Sequence, residues 1–286
     1  MRRGVFPGTF DPPTVAHVAI AEAARAHAGL DRLDLAVSRR ALGKEDRDLH
    51  DTRLAALRRL QAARPWLGVV VTDAQLVADI AHGYDVVVMG ADKWAQVRDP
   101  AWYGSETARD AALARLPRVL VAPRPGHDLA GAEPLPVDPA LARVSSSAVR
   151  AGAAHWLAPE LRPRVVVDGM NVIGSRPDGW WRDRDGAVRR LVSALAGRAA
   201  RTGERIAVVL DGRPLPDLPA GVHGGVLVAY ARRRGRDAAD DRIVEEVARD
   251  PDPASLTVVT SDRDLRRRVE ALGARVAGAA TVLDAP

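Results

Sequence analysis

Short β-forming runs alternate with alanine- and leucine-rich helical stretches along nearly the whole chain, and this alternation constrains the fold more than any other feature. In the first half the apolar runs are RRGVFPG, LDLAVS, LGVVVTD, YDVVVMG and RVLVAP. Between them lie stretches such as TVAHVAIAEAARAHA and DTRLAALRRLQAA, whose apolar residues recur at three- and four-residue spacing. PRPGHDLAGAEPLPVDPAL is rich in proline and glycine and reads as loop, and a short helix starts at Ser146. The pattern then restarts with RVVVDGMNV, ERIAVVLDG, GVLVAYA, LTVVTSD and ARVAG. These runs are separated by helices over about Asp185 to Ala200, Asp240 to Ala248 and Arg263 to Leu272. The expectation is α/β throughout, in two units with parallel sheets and no sequence repeat between them. They divide as residues 1–157, a linker at 158–163, and 164–286.

A chain of 286 residues is long for a single core, and 47% hydrophobic residues supply one for each half. No run of 18 apolar residues appears, so no membrane span is expected. The N-terminus has two arginines but no apolar stretch or cleavage site of a secretory signal, which together with the absence of cysteine points to the cytoplasm. Absent thiols also exclude disulfides, thiolate zinc sites and a cysteine nucleophile. The net charge of +5 pushes only weakly toward nucleic acid. Lys44 and Lys93 are the only lysines among many arginines, and both fall close to candidate phosphate chemistry.

In GVFPGTFDPPTVAH a strand ends at Val5 and Phe6, Gly8 permits a tight turn, and Pro12 and Pro13 stiffen the loop. Thr14 suits a helix start, with His17 one turn inside it on the same face, where the helix N-terminus favours an anion. A plain strand–turn–helix with a structural histidine would carry the same residues. VSSSAVR places Ser145, Ser146 and Ser147 ahead of a helix with Arg150 one turn in, hydroxyls and a guanidinium suited to a triphosphate tail, although an ordinary helix cap reads alike. The two segments together resemble the (T/H)xGH and ISSTxxR signatures of the nucleotidyltransferase superfamily of adenylyltransferases, over about residues 4 to 157. Ala16 stands where that superfamily usually has glycine, and Ser147 replaces threonine.

VVVMGADKW followed by RDPAW further resembles the nicotinate/nicotinamide mononucleotide adenylyltransferases. The phosphopantetheine branch fits Thr14 better and GADKW less well. The resemblance implies a Rossmann-like parallel sheet binding nucleotide substrates, with ATP as the AMP donor and Mg²⁺ bridging the departing pyrophosphate. Gly8, Thr9, Phe10, Asp11, Gly90 and Asp92 would face the nucleotides, and Trp94 and Trp102 would stack a pyridine ring. His17 would donate to the α-phosphate, Thr14 would steady the attack, and Lys44 would reach phosphate. Ser145, Ser146, Ser147 and Arg150 would hold the pyrophosphate. With Ala16 blunting catalysis, the same domain would instead be a nucleotide sensor gating the second half of the chain.

In the second half aspartates follow apolar runs: Asp168 in VVVDGMN, Asp211 in AVVLDG, and Asp262 with Asp264 in TVVTSDRD. GRDAADDRIVEEV adds Asp237, Asp240 and Asp241 at a helix start. The carboxyl ends of parallel strands share one edge of an open sheet, so these acids can meet there, and gathered carboxylates suit Mg²⁺ or Mn²⁺. Each aspartate could equally cap a helix or turn. The ordered set resembles NYN domains, PIN-like ribonucleases with an α/β/α sandwich, and especially the YacP-like branch, over about residues 164 to 280. That resemblance implies metal ligation by Asp168, Asp240 and Asp262, orientation by Asn171, and support from Asp211, Asp264 and Asp241, the last of which could exchange roles with Asp240. RNA is the implied partner. Arg232, Arg233, Arg234 and Arg236, and the arginines of RDLRRR, would grip phosphate, and Trp180 and Trp181 would stack bases if exposed. An RNA-binding scaffold without cleavage would share the fold.

Overall fold

The computed structural model describes residues 1–39, 51–150, 153–176, 178–233, 235 and 237–283. It divides into two compact units, Met1–Ser146 with Ala158–Glu160, and Ser147–Leu157 with Leu161–Pro286.

The first unit contains β1 (Arg3–Pro7), α1 (Val15–Ala28), β2 (Arg32–Ser38), α2 (Asp51–Ala63), β3 (Leu67–Thr72), α3 (Val77–Ile80), β4 (Val86–Gly90), α4 (Ala91–Arg98), α5 (Glu106–Leu113), β5 (Arg118–Ala122) and β6 (Glu133–Pro134). Its sheet runs in the order β3-β2-β1-β4-β5-β6, with every pair parallel. This is the doubly wound order, in which the chain reverses direction between β1 and β4 and opens a crevice at their carboxyl ends. All five expected strands are present. The sixth, β6, lies inside the stretch read as loop, where Leu120 and Val121 supply an edge for two residues to join. The valines of β4 are wholly buried between helical layers, as a continuous apolar run requires.

The chain then forms α6 (Ser146–Arg150), and the division between units falls within it. The second unit contains β7 (Val165–Asp168), α7 (Gly169–Gly174), α8 (Arg184–Thr202), β8 (Ile206–Leu210), β9 (Gly221–His223), β10 (Val226–Tyr230), α9 (Ala238–Arg249), β11 (Thr257–Val259), α10 (Arg263–Ala271), β12 (Arg275–Ala277) and α11 (Ala280–Leu283). The order is β12-β11-β7-β8-β10-β9, parallel except for β9, a short edge strand absent from the sequence pattern that runs antiparallel to β10. Strand residues alternate faces. Val167, Val208 and Val228 pack against α7 and α8, while Val166, Val209 and Ala229 pack against α9 and α10. Val149, Ala154 and Leu157 cover Ala207 and Leu227 on the same side as α9. Among the described residues no helix is long and apolar enough to cross a membrane.

Candidate functional site

A cleft of about 210 Å³ opens at the carboxyl edge of the first sheet, lined by the β1–α1 turn, the end of β4 and the residue pair Gln75 and Arg124. Gly8, Thr9, Phe10, His17, Gly90 and Asp92 all line it. Gly8 has no positive φ. Its constraint is close approach, since a Cβ there would sit 2.8 Å from the Phe10 ring. Phe10 itself takes the left-handed backbone, φ 45°, and is buried edge-on against Phe6 and His17. Ser146 Oγ donates to the Pro12 carbonyl at 2.8 Å, which ties Ser146 to the turn within this unit. Ser147 and Arg150, linked by a 3.0 Å hydrogen bond, belong to the second unit. Lys44 lies outside the described residues.

Thr14 caps α1, and His17 completes a capping box with it. The Thr14 backbone N–H donates to His17 Nδ1 at 3.0 Å, and Thr14 Oγ1 lies 2.9 Å from the same nitrogen. A backbone amide can only donate, so Nδ1 is the acceptor and the imidazole proton sits on Nε2. Burial, reinforced by the Arg124 charge and opposed by Asp92, pushes the His17 pKa down to about 4. At neutral pH His17 is therefore an uncharged ring offering one N–H, oriented by the helix N-terminus.

Arg124 is the residue that pattern reading passed over. It follows β5 in the proline-rich stretch, where its Nη1 donates to the carbonyls of Ala142 (2.9 Å) and Val144 (2.8 Å), while Nε stands 3.9 Å from Asp92 Oδ1. The available signal was its position just past a strand's carboxyl end. Ala16 is buried and lines a neighbouring cavity of about 380 Å³ with Ala122, Pro123 and Leu141. Trp94 requires correction. The resemblance puts it over a pyridine ring, but the structure buries its indole in the core beside Val97 and Met89, with Nε1 donating to the Leu129 carbonyl at 2.8 Å. Trp102, in a 3₁₀ turn after α4, is 37% exposed.

In the second unit Asp168, Asp211, Asp240 and Asp262 sit at the carboxyl edge of the sheet, close enough that the charges of Asp211 and Asp262 act on both Asp168 and Asp240. Asp168 ends β7 and caps α7. Oδ1 accepts the Asn171 N–H (3.2 Å) and Oδ2 accepts the Thr260 hydroxyl (2.8 Å). The glycine after it is obligatory, because a Cβ on Gly169 would lie 2.6 Å from Leu210 and 3.0 Å from the Val209 carbonyl. Asp262 caps α10 through Oδ1, and Asp211 accepts the Ala239 N–H at 3.2 Å. Burial raises the Asp168 pKa, with Asp211 and Asp262 adding to the rise against the two hydrogen bonds. Burial, then the charges of Asp168, Asp262, Asp237 and Asp211, push Asp240 up to about 6.

Asp241 is not part of this group. Arg233 and Arg268 both pair with it and hold its pKa below the usual carboxylate range. Asp264 pairs with Arg267 at 2.5 Å. Asn171 reaches further than its assigned role, its Oδ1 accepting the Ser261 N–H at 2.7 Å. Among the described residues no three acids are already closed into a metal-ligand set. The donor chemistry would nonetheless suit a hard cation: oxygen donors only, two of them, Asp168 and Asp240, with ionisation suppressed first by burial and then by the neighbouring carboxylates. Arg263 and Arg266 are exposed along α10, and Trp181 is 60% exposed beside the half-buried Trp180. Arg234 and Arg236 lie outside the described residues.

A doubly wound parallel sheet with a histidine-bearing crevice at its switch point, followed by a second sheet edged with aspartates, defines a nucleotidyltransferase-type domain joined to a NYN-type domain. The chain belongs to the family described as Cytidylyltransferase-like, whose model matches residues 5–152, more than half of its length. It also carries a YacP-like NYN domain at residues 165–284. Among solved structures, Rae1 (YacP) from Bacillus subtilis is similar, at 26% identity and a TM-score of 0.34, over 42% of this chain and 70% of that one. A single-substitution variant of Rae1 gives 25% identity, a TM-score of 0.34, and coverage of 42% and 71%. No functionally curated protein matches.

Proposed function

We propose that the first domain transfers AMP from ATP to a mononucleotide, nicotinate or nicotinamide mononucleotide, and that the second cleaves single-stranded RNA with Mg²⁺ or Mn²⁺. In the first reaction an acceptor phosphate oxygen bonds to the α-phosphorus while the bond to the bridging oxygen breaks, and pyrophosphate leaves. The acceptor is already anionic, so the site needs alignment and charge stabilisation rather than a base. The observation that carries this reading is the His17 tautomer: an uncharged Nε2–H, fixed by Thr14, lining the cleft. Such a donor strengthens its bond as charge builds on the α-phosphate oxygens. Arg124 and Lys93 add positive charge at the same rim. With Trp94 in the core, the acceptor's ring would have Trp102 as its aromatic partner.

In the second domain Asp168, Asp240 and Asp262 would hold the cation, which supplies a nucleophilic water and steadies the leaving oxygen. Asp211 supports α9 through Ala239, and the α10 arginines favour a phosphate backbone.

Pyrophosphate release from ATP with each pyridine mononucleotide, compared between the wild type and His17→Ala, tests the first reading. Loss of turnover with an unchanged circular dichroism spectrum is expected, and retained turnover refutes it. Nucleotide binding by calorimetry without turnover in the wild type would mark a sensor. Mn²⁺-dependent cleavage lost in Asp168→Asn and Asp262→Asn supports the second reading. Equal cleavage by all three proteins refutes it.

A further inference from the structure

The loop after β11 and the β7–α7 turn come from distant parts of the sequence and each carries one of the proposed cation ligands. Thr260, between them, is fully buried, yet it is a polar residue at the carboxyl edge of a sheet whose neighbouring positions are valines. Its hydroxyl donates to Asp168 Oδ2 at 2.8 Å, and the same oxygen accepts the Asp262 N–H at 3.1 Å. One atom therefore touches the carboxylate of the first acid and the backbone of the second. Asn171 makes the reverse crossing one residue along, its side-chain oxygen taking the Ser261 N–H at 2.7 Å. The two bonds form a latch between residues 168–171 and 260–262.

The latch also selects which carboxylate oxygens are used. Asp262 spends Oδ1 on the Asp264 and Leu265 amides, and Asp168 has one hydrogen bond on each oxygen. A hydroxyl bonded to one lone pair of Asp168 Oδ2 fixes the plane of that carboxylate and leaves its second lone pair directed elsewhere. Buried polar side chains are kept in place by such satisfied bonds, and removing one partner strands the other without water.

We propose that Thr260 is a positioning residue of the second domain, setting the separation and orientation of Asp168 and Asp262 so that the pair can take a divalent cation. This inference rests on the cation reading of that domain. Partners that orient metal ligands typically change affinity by about 10–100-fold when removed. Thr260→Val keeps the shape and deletes the hydroxyl, whereas Thr260→Ser keeps the hydroxyl and deletes a methyl.

The experiment is Mn²⁺ titration of the full chain, followed by calorimetry and by the paramagnetic signal of free Mn²⁺, on the wild type and both variants. Expected is a loss of about 10-fold or more in Mn²⁺ affinity for Thr260→Val, with Thr260→Ser within about threefold of the wild type. The same pattern is expected in the Mn²⁺ concentration that half-saturates RNA cleavage. Where Thr260→Val fails to fold, Asn171→Ala opens the parallel bond of the latch and is expected to weaken Mn²⁺ in the same direction. Equal affinity in the wild type and Thr260→Val overturns the inference while leaving the cation reading intact. A wild-type chain that binds no Mn²⁺ overturns both.

Discussion

The buried, uncharged state of His17 makes a quantitative prediction about acid stability. Its pKa of about 4 lies below the value of 6.5 in an unfolded chain. As pH falls through that window the unfolded chain takes up a proton that the folded one refuses, so stability is lost between pH 6.5 and pH 4 and is intact above it. At pH 4.5 the two values give a penalty of about 2.5 kcal/mol. His17→Gln removes the titration but keeps an acceptor at the third helical position, where glutamine also closes a capping box. The variant should thus match the wild type to within about 1 kcal/mol at pH 7 and exceed it by about 2.5 kcal/mol at pH 4.5. Acid effects from other carboxylates are common to both proteins and cancel in the difference. Urea unfolding read by hydrogen exchange of peptides within residues 3–28 reports the first unit alone. Parallel pH profiles for the two proteins would refute the argument, since they would mean that His17 is solvated and charges freely.

Three further outcomes follow from the geometry. Asp240→Asn should weaken Mn²⁺ at least about 10-fold in calorimetry while Asp241→Asn stays within about threefold, because Arg233 and Arg268 already neutralise Asp241. The raised pKa of Asp240 costs stability only where it is ionised, so without metal Asp240→Asn should raise the melting temperature by about 3 °C or more at pH 8 and by nothing at pH 3.5, measured by scanning calorimetry. Gly8→Ala should push the Phe10 ring into the cleft, weakening ATP binding by about 10-fold in calorimetry and destabilising the first unit by about 1–3 kcal/mol.

Among the described residues every strand of four residues or more falls in an apolar run, since β-periodicity and continuous burial leave a direct mark on local composition. β6 and β9 left no such mark. They are short edge pairings that exist because a neighbouring strand offers free backbone groups. The aspartates at strand ends were legible, because parallel strands in a βα pattern must deliver their carboxyl termini to one edge. The choice between Asp240 and Asp241 was not: successive helical residues point about 100° apart, and which face meets the sheet depends on packing.

The order of residues alone determined two α/β units, the turn that presents His17, and the edge that collects Asp168, Asp211 and Asp262. All of these depend on interactions within a few residues or on the direction of strands. Tertiary structure decided the rest: that Arg124 faces the cleft, that Trp94 is spent on the core, and that a buried hydroxyl at Thr260 joins two acids 94 positions apart, Asp168 and Asp262. Those facts depend on burial and on hydrogen bonds between segments remote in sequence, and neither quantity exists until the sheets have closed.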